Sequence, residues 1–147
     1  SKPEEDSVDN CLSNVAEALN DPSLCAEIQN ISGDGSRDSC YTNIAVATKR
    51  VDLCNLVTGS SIKNYYVNVI GAQTDVLIDK DYCITGLASI TKNDLLCQQV
   101  SVKDYVKVSP LKMSSSFCYA NFAYDNKTPT FCGKAGSLKD HCLEVIK

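Results

Sequence analysis

The chain has 147 residues, 44% hydrophobic and 22% charged, with a net charge of −4. That balance supports a packed core rather than disorder, and the scattered basic residues exclude the charge footprint of a nucleic-acid binder. No apolar run approaches the ~20 residues that cross a bilayer, so no transmembrane segment is expected.

Nine cysteines are the dominant compositional signal. Metal sites need short Cys-x-x-Cys spacings, whereas the closest pair here, Cys132 and Cys142, is ten positions apart. Neither a metal nor a cofactor is therefore expected. Disulfides are the better reading, and they place the chain in an oxidising, extracellular or cell-surface compartment. Two glycosylation sequons, at Asn30-Ile31-Ser32 and Asn126-Lys127-Thr128, agree with export. The chain opens at Ser1 with no signal-peptide pattern, as expected of a processed product.

In chain order, a 14-residue cysteine spacing recurs four times, at Cys11–Cys25, Cys40–Cys54, Cys83–Cys97 and Cys118–Cys132. Superposed, the segments share a bulky apolar residue at the fifth position, Ala at the sixth (Ala16, Ala45, Ala88, Ala123), and Leu or Phe before the second cysteine (Leu24, Leu53, Leu96, Phe131). Such self-similarity is the signature of a repeat architecture. One repeat domain over 1–147 is expected, with repeats at about 8–36, 37–61, 80–116 and 117–138. A degenerate copy without cysteine falls at 62–79, where Asn64 to Val69 aligns with Ser39 to Ile44, and a truncated copy begins at 139–147.

Each repeat reads as two helices. Tyr41, Ile44, Ala45 and Thr48 form one amphipathic stripe. Asp38, Asp81 and Asp140 stand where N-caps are expected, and Asp21-Pro22 reads as the cap and first turn of a short second helix. That helix buries Leu24, Cys25 and Ile28, as Leu53, Cys54 and Val57 do in the next repeat. The expected fold class is all-α: disulfide-stapled helical hairpins in a short solenoid or compact bundle.

Two pairing schemes compete. The constant spacing and the loss of both cysteines from the degenerate copy favour bonds within repeats: Cys11–Cys25, Cys40–Cys54, Cys83–Cys97 and Cys118–Cys132, leaving Cys142 unpaired or intermolecular. The alternative joins the late cysteine of one repeat to the early cysteine of the next, as Cys25–Cys40, Cys97–Cys118 and Cys132–Cys142. Helix rise supports this alternative, because early and late cysteines of one hairpin lie at different levels, about 10 Å apart.

No catalytic motif stands out. His141, the only histidine, reads as a first-turn helix residue rather than a partner for Cys142, since adjacent helical residues point apart. Asp34, Ser36 and Asp38 alternate like the opening of a calcium loop, but Ser39 and Ala45 occupy its required Gly and Glu positions. Tyr41, Tyr66 and Tyr119 recur with the core and read as packing. The stretch from Val100 to Ser116 is longer than other links. Its Val100, Val102, Tyr105, Val106 and Val108 read either as a loop packing its valines locally, the favoured reading, or as an extended segment offered to a partner.

The motif Asp38-Ser39-Cys40-Tyr41-Thr42-Asn43-Ile44-Ala45 followed by Asp52-Leu53-Cys54 resembles cysteine-rich helical repeats of predicted archaeal secreted or surface proteins. That resemblance implies location rather than activity. The expected function is a non-catalytic extracellular module for protein contacts or structural spacing. Its alternative is a self-assembling subunit of an extracellular filament or coat, with a secreted hydrolase third. A protein partner or self-association is expected.

Overall fold

The computed structural model describes residues 3–30 and 35–147. Six α-helices are present among them: α1 (Pro3–Leu19), α2 (Pro22–Cys25), α3 (Arg37–Thr48), α4 (Lys80–Thr91), α5 (Ser115–Asn126) and α6 (Lys139–Ile146). Two strands, β1 (Ser61–Val67) and β2 (Ala72–Ile78), stand between α3 and α4. The fold is therefore mixed, and the all-α expectation is wrong for the middle of the chain.

A common mechanism builds the repeats. Nine residues after each early cysteine the backbone turns left-handed, at Asn20, Lys49, Lys92 and Lys127 (φ 51° to 58°). The next residue returns its N–H to the carbonyl of the repeated alanine: Asp21 to Ala16, Arg50 to Ala45, Asn93 to Ala88 and Thr128 to Ala123, at 2.9–3.0 Å. This is the long bond of a Schellman cap, which satisfies a carbonyl the helix leaves open. The chain then doubles back as α2 or as a 3₁₀ turn (Val51–Leu56, Asp94–Gln99, Pro129–Lys134). All four alanines are fully buried at this fold-back. A methyl side chain is what such a close approach leaves room for.

That tight turn decides the disulfides. Cys40 lies eight residues before the end of α3, about 12 Å along the axis, and the step from Val51 to Cys54 in a 3₁₀ turn regains only about 6 Å. A bond within the repeat is out of reach, because cystine Cα atoms must lie within about 7 Å. The structure joins neighbouring repeats instead: Cys25–Cys40, Cys54–Cys83, Cys97–Cys118 and Cys132–Cys142, with Cα–Cα distances of 5.7, 5.5, 5.4 and 5.7 Å. The favoured within-repeat scheme is corrected. Cys142 is bonded and fully buried rather than unpaired, and the free cysteine is Cys11, exposed on α1.

The segment 62–79, read as a degenerate helical repeat, is an antiparallel hairpin running in register from Ser61↔Ile78 to Val67↔Ala72. Ile62, Tyr65, Tyr66, Val67, Val76 and Ile78 are β-branched or aromatic and prefer a pleated surface. Gly71 closes the turn at φ +76°, a left-handed geometry that costs glycine little. Val67 and Val76 are buried in a second core with Leu111, Met113, Phe117 and Leu138. The main core runs through the repeats, from Ala16 and Ile28 to Leu87 and Phe122. Helix α5 contributes to both, so the hairpin is packed against the last repeats and not stacked as one of them.

Helix caps also fall differently. Ser36, Asp79 and Ser114 accept the N–H of Ser39, Tyr82 and Phe117, whereas Asp38 and Asp81 lie inside the first helical turn. The cap of α6 is Leu138, with no side-chain bond, so Asp140 is not a cap either. At Asp21-Pro22 the expectation holds: Asp21 accepts from the Ser23 N–H, and Pro22 opens α2.

Candidate functional site

Asp38 and Asp81, expected as caps, have a different role, which Asp9 shares. Two residues before each early cysteine stands Asp9, Asp38, Asp81 or Ser116. Asp9 accepts the backbone N–H of Gln29 (3.1 Å) and Asn30 (2.8 Å). Asp38 accepts the N–H of Thr58 (2.8 Å), Gly59 (2.9 Å) and Ser60 (2.9 Å), besides the Thr58 hydroxyl. Asp81 accepts from the Ser101 hydroxyl at 2.7 Å. Each carboxylate thus clasps the chain as it leaves its own repeat.

In the last full repeat Ser116 is too short for the task, and Asp104 supplies the carboxylate. It accepts both the N–H and the hydroxyl of Ser137 at 3.2 Å. The Ser116 hydroxyl foremost, then the N–H groups of Ser137 and Tyr105, hold the Asp104 carboxyl below the usual range. A Cβ on Gly136 would fall within 2.5 Å of Asp104 Oδ1, which explains the glycine there.

Two recesses meet beside Thr42. One, of about 490 Å³, lies between α1, α3 and the hairpin and is lined by Asn10, Asn14, Glu17, Asn43 and Lys63. The other, of about 300 Å³, runs on between α3, α4 and α5 past Tyr65, Tyr82, Met113 and Phe117. Glu17 accepts from Ser13 Oγ (2.9 Å) and Asn43 Nδ2 (3.1 Å). Burial, then the neighbouring Tyr82 hydroxyl, pushes the Tyr65 phenol up, so it stays protonated at ordinary pH. The lining side chains of the two recesses include one carboxylate and neither histidine nor cysteine. Among the described residues no group of three His, Cys, Asp or Glu is placed to hold a metal.

The sequence-derived residues are dispersed. Val100 is buried, because it lies three residues after a late cysteine, the position also filled by Ile28, Val57 and Ala135, all buried. It cannot be offered to a partner. Val102 and Tyr105 are half-buried, while Val106 and Val108 are exposed. The stretch forms no strand of its own, apart from Leu111. That residue pairs with the outer edge of β2, donating its N–H to Asp75 O and accepting from Leu77 N. Lys112 pins the same stretch, its Nζ 2.7 Å from Asp79 Oδ2 and 3.8 Å from Asp81 Oδ2.

Tyr41 and Tyr119 are buried as expected, but Tyr66 is 56% exposed on β1. His141 sits in the first turn of α6 with Nε2 buried and unbonded, against the hairpin turn at Gly71. The Asn30 sequon runs into residues outside those described. The Asn126 side chain donates to Ser89 O and Phe122 O.

No family model, curated protein or solved structure matches the chain. The most distinctive feature is an asymmetry among repeats. The early cysteine and the residue four later are buried at Cys40/Ile44, Cys83/Leu87 and Cys118/Phe122, yet both Cys11 and Val15 are exposed on α1.

Proposed function

We propose that the chain is a non-catalytic extracellular or cell-surface repeat module, serving protein contacts or structural spacing. One observation carries this reading: the four cystines tie every repeat to the next. They close loops of 15, 29, 21 and 10 residues and place all eight sulfurs in the interior. Covalent ties between units resist extension along the chain, which is what a spacer or rigid presenting surface needs. Cystines of this kind form and persist mainly in oxidising compartments. No described helix is long and apolar enough to cross a membrane. The filament alternative loses its proposed cross-link, since Cys142 is engaged with Cys132.

Acid-quenched alkylation of the protein in its source cells tests the reading. Recovery outside the plasma membrane with eight cysteines protected is the expected result. Recovery in the cytosol with all nine thiols alkylated would overturn it.

A further inference from the structure

A second pattern runs through the repeats, two and three positions after each early cysteine. Those positions hold Ser13-Asn14, Thr42-Asn43, Thr85-Gly86 and Ala120-Asn121. All but Ala120 line the two recesses that meet beside Thr42. Successive helices thus bring the same face, hydroxyl beside amide, to one shared hollow.

The needs of the fold do not account for two of these residues. Thr42 is 5% exposed, and its Oγ1 is buried without a hydrogen-bond partner. Its counterpart Thr85 donates to Asp81 O at 2.8 Å. A buried hydroxyl left unpaired is costly, and Thr42 stands on the wall common to both recesses. Gly86 lies inside α4, where glycine is a poor helix former. A Cβ there would meet nothing closer than Val46 Cγ2, at an ordinary 3.4 Å, so crowding does not demand the glycine. Val46 lines the second recess, and a longer side chain at position 86 would fill it.

The lining defines what fits. Among the described residues its charged groups are Glu17 and Lys63, opposite in sign, so an ionic ligand meets no net charge. Glu17 also holds Ser13 Oγ and Asn43 Nδ2, which fixes the polar wall before a ligand arrives. Amides and hydroxyls set donors and acceptors side by side, a match for vicinal hydroxyls that must do both. Past Thr42 the walls are Tyr65, Tyr82, Met113 and Phe117, a setting for an apolar ring. Volumes of about 490 and 300 Å³ are those of small-molecule sites.

We propose that the joined recesses bind a small neutral glycoside, its sugar on the Ser, Thr and Asn face and its aromatic aglycone between the tyrosines, Met113 and Phe117. Thr42 Oγ1 bonds the sugar where the two halves meet. The site holds the glycoside without cleaving it, because its lining carries one carboxylate where cleavage uses a pair. This inference does not rest on the contact and spacing reading, which stands if no glycoside binds.

Titration calorimetry of the whole disulfide-bonded chain provides the test, with phenyl α- and β-hexopyranosides of gluco, galacto and manno configuration as probes. One of them should bind at one site per chain, with Kd of about 1 mM or tighter. Its methyl counterpart and phenol alone should each bind at least about tenfold more weakly. Gly86→Leu should abolish binding without lowering the thermal midpoint. Thr42→Val should weaken binding about tenfold while leaving the midpoint unchanged or raised, since no bond within the protein is lost. Absence of binding by every hexoside would overturn the proposal, as would wild-type affinity in Thr42→Val or Gly86→Leu. Tighter binding of N-acetylphenylalaninamide than of any hexoside would overturn it too, by making the site one for peptides.

Discussion

Asp38 Oδ2, in the first turn of α3, accepts the backbone N–H of Gly59 twenty-one residues later, at 2.9 Å. The same carboxylate also takes the N–H groups of Thr58 and Ser60 while 98% removed from solvent. Hydrogen bonds to a charged acceptor contribute about 1.5–3 kcal/mol each, and their loss leaves buried donors unpaired. Asp38→Ala should therefore destabilise the fold by roughly 2–4 kcal/mol in urea unfolding. Asp9→Ala, which removes an acceptor of two N–H groups, should cost less. Unfolding midpoints within error of wild type for Asp38→Ala would remove the clasp from the account.

The left-handed lysines predict the opposite sign. Lys49 and Lys92 hold φ near 58° and 55° at helix C-caps, a conformation that costs a residue with Cβ about 1–2 kcal/mol. Glycine avoids that cost and gives back part of it as unfolded-state entropy. Lys49→Gly and Lys92→Gly should each stabilise by up to about 1 kcal/mol, raising the thermal midpoint. A loss of stability in both would mean that the lysine side chains make contacts worth more than the strain.

Alkaline pH should unfold the protein by a route the structure identifies. Lys112 is held above its ordinary value, chiefly by its hydrogen bond to Asp79, and the Tyr65 phenol is raised chiefly by burial. A group whose folded pKa is raised contributes stability that is complete below its unfolded pKa and lost as pH rises toward the folded one. Both unfolded values lie near 10, so the decline should begin there. Tyr65→Phe should flatten the fall in thermal midpoint between about pH 10 and 11, and Lys112→Met should do so to a smaller extent, being partly exposed. An unchanged slope in Tyr65→Phe would contradict the assignment.

Much of this architecture is written in the sequence, though not always with the meaning first given to it. The 14-residue spacing and the repeated alanine do mark a helix followed by a fold-back, because a left-handed cap at a fixed distance requires both. The same constancy misled the pairing. It reports the geometry of the unit, whereas the bonds join units whose connecting loops vary in length. Helix rise already pointed the other way, and it outweighed the bookkeeping once the turn after Lys49 proved tight.

The hairpin was hidden for a different reason. Asn64 to Val69 aligns with Ser39 to Ile44 and shares its Tyr and Asn at Tyr66 and Asn68, yet lacks the alanine on which the fold-back closes, and its β-branched and aromatic residues favour strand. The exposure on α1 could not be read from sequence alone. Val15 belongs to the same apolar column as Ile44, Leu87 and Phe122, which are buried, and only the structure shows it to be 42% exposed.

The central claim is that cystines link consecutive repeats. Non-reducing proteolytic mapping, with free thiols alkylated at acid pH, tests it most directly. The account predicts four disulfide-linked peptide pairs, Cys25–Cys40, Cys54–Cys83, Cys97–Cys118 and Cys132–Cys142, with Cys11 absent from all of them. Recovery of Cys40 bonded to Cys54, or of Cys83 bonded to Cys97, would contradict it.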